Sequence, residues 1–562
     1  MATKNCTRLL AELEELKQSF GSAPPQLEQK LRALGKCEID DADELIRFHE
    51  ALLFLRAYPP SAKVLKQVEG ILKTFAQRVS KLREAEADLS ALDDPEVSGI
   101  NGTSVTSNFS YAIVRWLVAR FPTQISIDWD WFEEEERFGA NMPRFLPLLE
   151  EDAMVEAHVP YRVWLRTAKG RANELVWLIE GFESLKIADK ARAELYDSLK
   201  IHVRWQFGRR ASRTSMKLPV RRTFFHDSPL IARRDVSLAT ELASPPIPVE
   251  KLSPALGEKI LDMARETSAV RYRELHGFTF GDSRRVLKAD IGRGTEVFVV
   301  GVPTENGLPL RAYHAALIFK NGVPVGYFEG LSIFERMESG FNLYYTFREG
   351  ETAWLYARIL RLMRQLLGVN VISIDPYQAG HENEEGIESG AFWFYRKLGF
   401  RPVRPELMKL TLSEESKMAA DPRRRTSART LRKLAAGHML FEMSGAGVGD
   451  WDRFQARNVG LAVQRRMARE FGGDAQKIRT HSVDFVQRAL GLRTRDWSED
   501  ERFALENLAL VFAMISPDKW SSGDKQLATR IIEAKAVGNE ARYVQLMHGH
   551  SSLRDAIIRL GS

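Results

Sequence analysis

Apolar residues spaced three to four positions apart dominate both ends of the chain. In the segment LLAELEELKQSF, for example, Leu9, Leu13 and Leu16 fall on one face of a helix. Repeated over many turns, this spacing predicts amphipathic helices that each bury one face. The helical regions predicted in this way cover residues 1–95, residues 110–240, which end in a basic connector, and residues 434–562.

The hydrophobic period changes between residues 250 and 415, where short runs of alternating apolar residues appear. The pair Asn321-Gly322 between two such runs is a strong signal for a β-hairpin. A helix predicted at 352–367 and a strand predicted at 369–375 add a strand–helix–strand crossover. The other predicted strands are 296–302, the hairpin 313–331, 341–347, and a last strand pair around RPVRPELMKLTL. Antiparallel strands followed by a crossover predict a mixed sheet with helices packed on it.

The predicted fold class is therefore α+β with several domains. A central mixed-sheet α/β domain over residues 250–415 is flanked by N-terminal and C-terminal all-helical domains. A chain of 562 residues is longer than a single hydrophobic core supports, which agrees with more than two domains.

Charge and cysteine content favour a protein of the cytoplasm. The 81 basic and 75 acidic residues leave a net charge of +6, which is too small to indicate a nucleic-acid partner by itself. The N-terminus lacks the apolar core of a signal peptide, and the most apolar later run, Phe503–Ile515, is too short to span a bilayer. Cys6 and Cys37 are too few for a disulfide framework. We predict a cytoplasmic location and no membrane contact.

Motifs for metal or nucleotide binding are missing from the sequence. His381-Glu382 is not followed by a second histidine at helical spacing, and the HGH triplet at 548–550 stands alone. The sequence also contains no Gly-x-x-x-x-Gly-Lys-Ser/Thr loop. No metal site is predicted.

Two basic stretches, at 205–236 and 421–433, interrupt the otherwise mixed charge pattern. Cations interleaved with Phe224 and Phe225 have the composition of a phosphate or single-strand site. A connector between domains that pairs with acidic neighbours explains the first stretch equally simply, and is the favoured interpretation.

Two segments in the central region carry the candidate chemistry. REGETAW, Arg348–Trp354, turns directly from a predicted strand into a helix, and a glycine at such a turn lets backbone N–H groups approach an anion. SGAFWFYRKLGF, Ser389–Phe400, is an aromatic helix in which Gly399 stands where a helix-ending glycine belongs.

This order of elements resembles the GNAT superfamily of acyl-CoA-dependent N-acyltransferases. The residues that fit the family's helix ending are Phe394, Tyr395, Lys397, Gly399 and Phe400, and those that fit its hairpin are Gly322 and Gly326. The resemblance covers about residues 250 to 413. The diphosphate loop departs from the family pattern: Gly350 takes the central place, but Phe347 and Thr352 stand where other residues are usual, and Arg348 and Ala353 are shifted by one.

The resemblance implies an N-acyltransferase that moves an acyl group from acetyl-CoA or another acyl-CoA to an amine of a small molecule or a protein. Tyr395 would protonate the leaving thiolate, and Glu329 or Asp375 would deprotonate the amine. A backbone N–H near Tyr344 to Phe347 would polarise the thioester carbonyl. The residues implied in acyl-CoA binding are Tyr345, Phe347, Arg348, Gly350, Glu351, Thr352 and Ala353.

A second hypothesis belongs to another functional class. The imperfect diphosphate loop and the two basic stretches also fit a catalytically degenerate GNAT-like scaffold, which would bind protein or nucleic acid through its helical and basic regions. Nucleic acid is the less favoured partner.

Overall fold

A computed structural model describes residues 2–20, 24–146, 160–443 and 447–562, with side chains from residue 5 onward. The chain folds into helices and two β-sheets. The helices before the large sheet are α1 Ala2–Leu16, α2 Pro24–Lys36, α3 Ala42–Ala57, α4 Ala62–Lys73, α5 Phe75–Glu84, α6 Tyr111–Arg120, α7 Glu135–Asn141, α8 Tyr161–Lys169, α9 Glu174–Ser184, α10 Asp189–Ser198 and α11 Leu238–Leu242.

Further helices accompany and follow the large sheet. They are α12 Pro254–Ala269, α13 His276–Thr279, α14 Thr352–Leu367, α15 Pro376–Ala379, α16 Glu384–Glu388, α17 Ala391–Lys397, α18 Pro405–Ala420, α19 Ala428–Leu434, α20 Ala456–Phe471, α21 Ala475–Leu490, α22 Glu499–Phe512, α23 Ser522–Ala536, α24 Glu540–His548 and α25 Ser551–Gly561. The strands are β1 Ser104–Ser107, β2 Ile125–Ile127, β3 Val203–Gln206, β4 Val249–Lys251, β5 Val286–Gly292, β6 Thr295–Val300, β7 Ala312–Lys320, β8 Val323–Ile333, β9 Arg336–Leu343, β10 Val371–Ile374, β11 Arg401–Pro402 and β12 Met439–Glu442.

The large sheet is mixed and has nine strands in the order β11-β12-β10-β9-β8-β7-β6-β5-β4. Strands β4 to β9 pair antiparallel with their neighbours, whereas β9 and β10 pair parallel and are joined by the crossover helix α14. The predicted crossover helix at 352–367 is observed with the same bounds. The predicted hairpin is also observed, and both turn residues, Asn321 and Gly322, have positive φ angles, as a two-residue hairpin turn requires.

The predicted last strand pair is wrong. Only Arg401–Pro402 is extended, and helix α18 begins at Pro405, since the fixed φ of proline suits the first turn of a helix. The buried residues Leu407, Thr411 and Glu414 follow a helical period rather than a strand period. The strand that completes this edge of the sheet is β12, which lies within the region predicted to be all-helical.

The N-terminal part of the chain is not all-helical either. Strands β1, β2 and β3 form a small antiparallel sheet in the order β1-β3-β2. Each strand has only three or four residues, and the alternation of buried and exposed positions in β2 is limited to Ile125, Ser126 and Ile127. So short an alternation is not distinguishable from a helical segment by periodicity alone.

One hydrophobic core links the N-terminal helices, the large sheet and the C-terminal helices, and a second core lies around the small sheet. A third core lies between α12, α13 and the strands β5 to β7. Cys6 and Cys37 form a disulfide between α1 and the residue that follows α2, a pairing that the sequence did not predict. Within the described ranges, none of the helices combines the length and the apolar character needed to cross a bilayer. The cytoplasmic location stays a prediction.

Candidate functional site

The parallel strands β9 and β10 separate before β9 ends. Residues 336–338 of β9 pair with residues 371–373 of β10, but β9 continues to Leu343 while β10 stops at Ile374. Beyond Glu338, no described strand pairs with β9 on that side. A strand edge without a partner presents unpaired backbone N–H and C=O groups, so the gap is lined by polar backbone on its β9 side.

A cavity of about 590 Å³ occupies this gap. Its walls come from the unpaired end of β9, the first residue of α14, the short helices α15 and α16, and the aromatic helix α17. Glu329 of β8 and Tyr395 of α17 both line it, so two of the three predicted catalytic residues face one space.

Tyr395 is held by aromatic packing alone. Its ring contacts those of Tyr356, Phe394 and Phe400, with centroid distances of 5.9, 5.3 and 5.7 Å. Its hydroxyl forms no hydrogen bond with any described residue, although the residue is only 4% exposed. Burial raises the pKa of Tyr395, so the hydroxyl keeps its proton at neutral pH.

Glu329 has a fixed partner. The Tyr313 hydroxyl donates a hydrogen bond to its carboxylate and accepts one from the Gly277 N–H at 3.0 Å. Burial, together with the neighbouring Glu329 charge, raises the pKa of Tyr313, so the proton of this pair stays on the tyrosine. The half-buried carboxylate of Glu329 lines the cavity while it accepts this hydrogen bond.

Asp375 does not line the cavity. It precedes α15, where its Oδ1 accepts a hydrogen bond from the Tyr377 N–H at 2.9 Å, and so caps this short helix. Its other close neighbours are Glu338 and His438. The structure thus separates the two base candidates, with Glu329 at the cavity and Asp375 beside it.

Of the residues predicted to bind acyl-CoA, Arg348 and Thr352 line the cavity. The Arg348 Nε donates to the Leu343 carbonyl at 3.2 Å, and its guanidinium pairs with Glu96 at 3.4 Å and with Glu385. The Thr352 Oγ1 donates to the Arg348 carbonyl at 2.9 Å. These bonds orient the one cation of the turn towards the cavity.

The other predicted binding residues point elsewhere. Phe347 and Ala353 are buried in the core, and Tyr345 is 54% exposed without lining the cavity. A Cβ at Gly350 would lie 2.4 Å from the Tyr58 hydroxyl oxygen, so the glycine is required by the packing of α3 against the turn. The turn that was predicted to open towards an anion is thus covered by the N-terminal helices.

Glu351 is buried in a separate polar cluster. Its carboxylate pairs with Lys320 at 2.9 Å and with Arg293 at 2.6 Å. Although burial acts to raise it, the pKa of Glu351 is lowered by these two cations. Its side chain is engaged within the protein and does not face the cavity.

Sequence reasoning missed two polar groups of the cavity wall, Arg273 and Tyr327. The Arg273 guanidinium reaches the Tyr327 hydroxyl at 3.5 Å and pairs with Glu96 at 2.5 Å. Glu96, from the N-terminal region, therefore bridges Arg273 and Arg348. No local pattern marks these residues, since they come from segments far apart in the sequence.

Part of the positive charge of the first basic stretch, residues 205–236, is paired with carboxylates within the protein. Arg213 is buried and forms two hydrogen bonds with the Glu50 carboxylate, at 2.8 and 3.1 Å.

Comparison with known proteins gives no further guide to function, because no family model, no curated protein and no solved structure matches the chain.

Proposed function

We propose that the protein is an acyl-CoA-dependent N-acyltransferase of the GNAT type, which acts on an amine acceptor within the cavity. The observation that carries the proposal is that the Tyr395 hydroxyl, which bonds to no described residue, and the Glu329 carboxylate line one cavity beside an open strand edge. An acid and a base in one space are what acyl transfer from a thioester to an amine requires.

The cavity offers hydrogen-bonding groups to an acyl-CoA substrate. The pantetheine arm of CoA is narrow and carries amide groups, which can form hydrogen bonds with the unpaired edge of β9. Arg348 and Arg273 lie at the same wall, where phosphate oxygens would compete with the carboxylates of Glu96 and Glu385 for the two guanidiniums. An acyl-CoA would thus reach the gap with its thioester between Glu329 and Tyr395.

The reaction then follows from the two side chains. Glu329 accepts a proton from the amine as its nitrogen attacks the thioester carbonyl carbon. The C–N bond forms, the C–S bond breaks, and Tyr395 donates its proton to the departing sulfur. Acetyl-CoA is the simplest donor, and the acceptor is a small-molecule or protein amine.

The test is calorimetric titration of acetyl-CoA into the full-length protein and into Gly340→Val. A Cβ at Gly340 would meet only ordinary contacts, 3.7 Å from Gln378 Nε2 and from the Glu329 carbonyl oxygen, so valine fits the strand and fills the cavity. We expect one molecule of acetyl-CoA to bind wild type, and binding to weaken at least tenfold in Gly340→Val. Absence of binding at millimolar acetyl-CoA, or equal binding by both proteins, would contradict the proposal.

A second function, nucleic-acid binding by a scaffold, is favoured by one observation. Arg423, Arg424 and Arg425 are exposed and form no salt bridge with any carboxylate in the described part of the chain. Three phosphate contacts would lower the slope of log affinity against log salt by about 2 for single strands. Replacing all three by alanine should remove that slope change, and unchanged or absent binding would exclude this function.

A further inference from the structure

Three side chains that could bind a metal ion lie close together beside β10. They are those of Glu338, Asp375 and His438. One ligand atom from each lies within 4.8 Å of the other two. The sheet register explains their approach, since β10 lies between β9 and β12, with Ser373 opposite Glu338 and Ile374 opposite Met439. Asp375 and His438 are the residues adjoining this last pair, so they meet at the same end of the sheet.

These side chains have unused bonding capacity. The Nδ1 of His438 is buried and has no hydrogen-bond partner among the residues that the structure describes. Glu338 accepts no hydrogen bond from any residue of the described ranges, and Asp375 uses only its Oδ1, for the cap of α15. An unpaired buried ring nitrogen next to two carboxylates is costly without a further partner. A cation bound by all three side chains would supply that partner.

Two arginines limit the kind of cation that fits. Arg311 and Arg336 lie 3.6 and 3.7 Å from the Glu338 carboxylate, and Arg336 also donates to the Ser373 Oγ at 3.1 Å. Their charge opposes an ion held mainly by electrostatic attraction. Ca²⁺ and Mg²⁺ prefer all-oxygen sites, whereas an imidazole with carboxylates suits Zn²⁺, Mn²⁺ or Fe²⁺.

We propose that Glu338, Asp375 and His438 bind one divalent first-row transition-metal ion. The site borders the cavity, because Gly340 and Tyr377, each two residues beyond a ligand, line the cavity wall. Three protein ligands leave coordination positions open, as in metal sites that hold water or substrate. The sequence did not predict this site because its ligands lie far apart along the chain and lack a spacing motif.

The test is titration of Mn²⁺ and, separately, Zn²⁺ into the metal-free full-length protein, followed by calorimetry and by electron paramagnetic resonance for Mn²⁺. We expect one ion per chain. Asp375→Asn keeps an acceptor for the helix cap, and His438→Gln keeps a polar side chain of similar size. Each variant should bind at least about tenfold more weakly, since even indirect changes at metal sites cost this much.

Two further variants separate a specific site from incidental binding. His381 is exposed and outside the cluster, so His381→Gln should bind both ions as wild type does. Arg311→Gln removes a positive charge next to Glu338 and should strengthen binding. The proposal is overturned if wild type binds neither ion, or if Asp375→Asn and His438→Gln bind as tightly as His381→Gln.

Discussion

The turn at residues 345–351 and the aromatic helix α17 border the same cavity, but they are held in different ways. The turn is fixed by polar and packing contacts that come from the N-terminal helices. Helix α17 is fixed mainly by aromatic rings of the large-sheet region itself. The difference explains why the sequence predicted the helix well and the turn poorly.

Contacts with α1 and α3 hold the turn. Thr346 donates a hydrogen bond to the buried Glu50 carboxylate, and Gly350 packs against Tyr58. Glu349 pairs with Lys17 at 2.7 Å. The segment that resembled a diphosphate loop is therefore also the docking point for the N-terminal helices.

Helix α17 is positioned partly by residues of its own segment. It starts after Gly390 and is followed by Leu398 and Gly399, whose positive φ of 106° favours glycine. Tyr395 packs on Phe400, which lies five residues later, and Trp393 Nε1 donates to the Thr426 hydroxyl at 3.1 Å. The Phe400 contact lies within the segment itself, whereas Thr426 lies 33 residues further along the chain.

Among variants that test how the turn is held, Tyr58→Ala should have the largest effect on stability. Tyr58 is fully buried against the turn, so its truncation should lower the free energy of unfolding by about 3–5 kcal/mol. Chemical denaturation followed by fluorescence measures this. Tyr345→Ala, on the same turn but exposed, should change it by less than about 0.5 kcal/mol. A loss in Tyr58→Ala as small as that in Tyr345→Ala would show that Tyr58 does not support the turn.

The packing of Tyr58 against the turn should make the free energy of unfolding depend on pH through His226. The His226 ring contacts Tyr58 with a centroid distance of 5.2 Å. Burial, together with nearby Lys320, lowers the pKa of His226 from 6.5 to about 3. The unfolded chain therefore binds a proton below pH 6.5 that the folded chain does not, and stability falls as pH drops from 6.5 towards 3.

We expect roughly 2 kcal/mol of the free energy of unfolding to be lost between pH 6.5 and pH 4 through this residue. Denaturation curves at several pH values should show a shallower loss for His226→Gln than for wild type. The exposed His381→Gln serves as control and should keep the wild-type slope. A slope unaltered in His226→Gln would contradict the assignment.

A pair of Thr→Val substitutions compares the two supports directly. Thr346→Val removes a buried hydrogen bond to a charged carboxylate and should cost about 1.5–3 kcal/mol. Thr426→Val removes the hydrogen bond that Trp393 donates. This bond is half-buried and joins two neutral groups, so its loss should lower the free energy of unfolding by about 0.5–1 kcal/mol. Thermal unfolding of both variants tests the order, and a greater loss in Thr426→Val would reverse the comparison.

Tyr395→Phe should have the smallest effect on stability. Its hydroxyl bonds to no residue in the described part of the chain, so the free energy of unfolding should change by less than about 0.5 kcal/mol. On the proposed function, acetyl-CoA binding should also persist, while thiol release with a panel of primary amines slows by about 10²–10⁴-fold. Full activity in this variant would remove Tyr395 from the reaction.

The sequence predicts elements with a strong local signal. Helix α14 appears with its predicted bounds, and the hairpin around Asn321-Gly322 is formed, because hydrophobic period and turn chemistry are local properties. Strands β4, β5 and β12 and the small sheet were missed. All of these strands except β5 have only three or four residues, and so short a strand takes its conformation from its partners.

Some residues of the candidate site could be predicted from the sequence and others could not. Tyr395 and Glu329 were named through the resemblance to a known family, and both line the cavity. Glu96 and Arg273 could not, since their importance arises from an ion pair between distant segments. The packing of Tyr58 against Gly350 was equally hidden, because a glycine in a sequence does not show what approaches it.

Hydrogen–deuterium exchange on the full-length protein, with and without saturating acetyl-CoA, tests the central claim most directly. If the ligand binds along the open edge of β9, amides of residues 339–343 should gain protection. The turn at 345–351, already covered by α1 and α3, should change little. Protection confined to the turn, or no change in either segment, would contradict the proposed site.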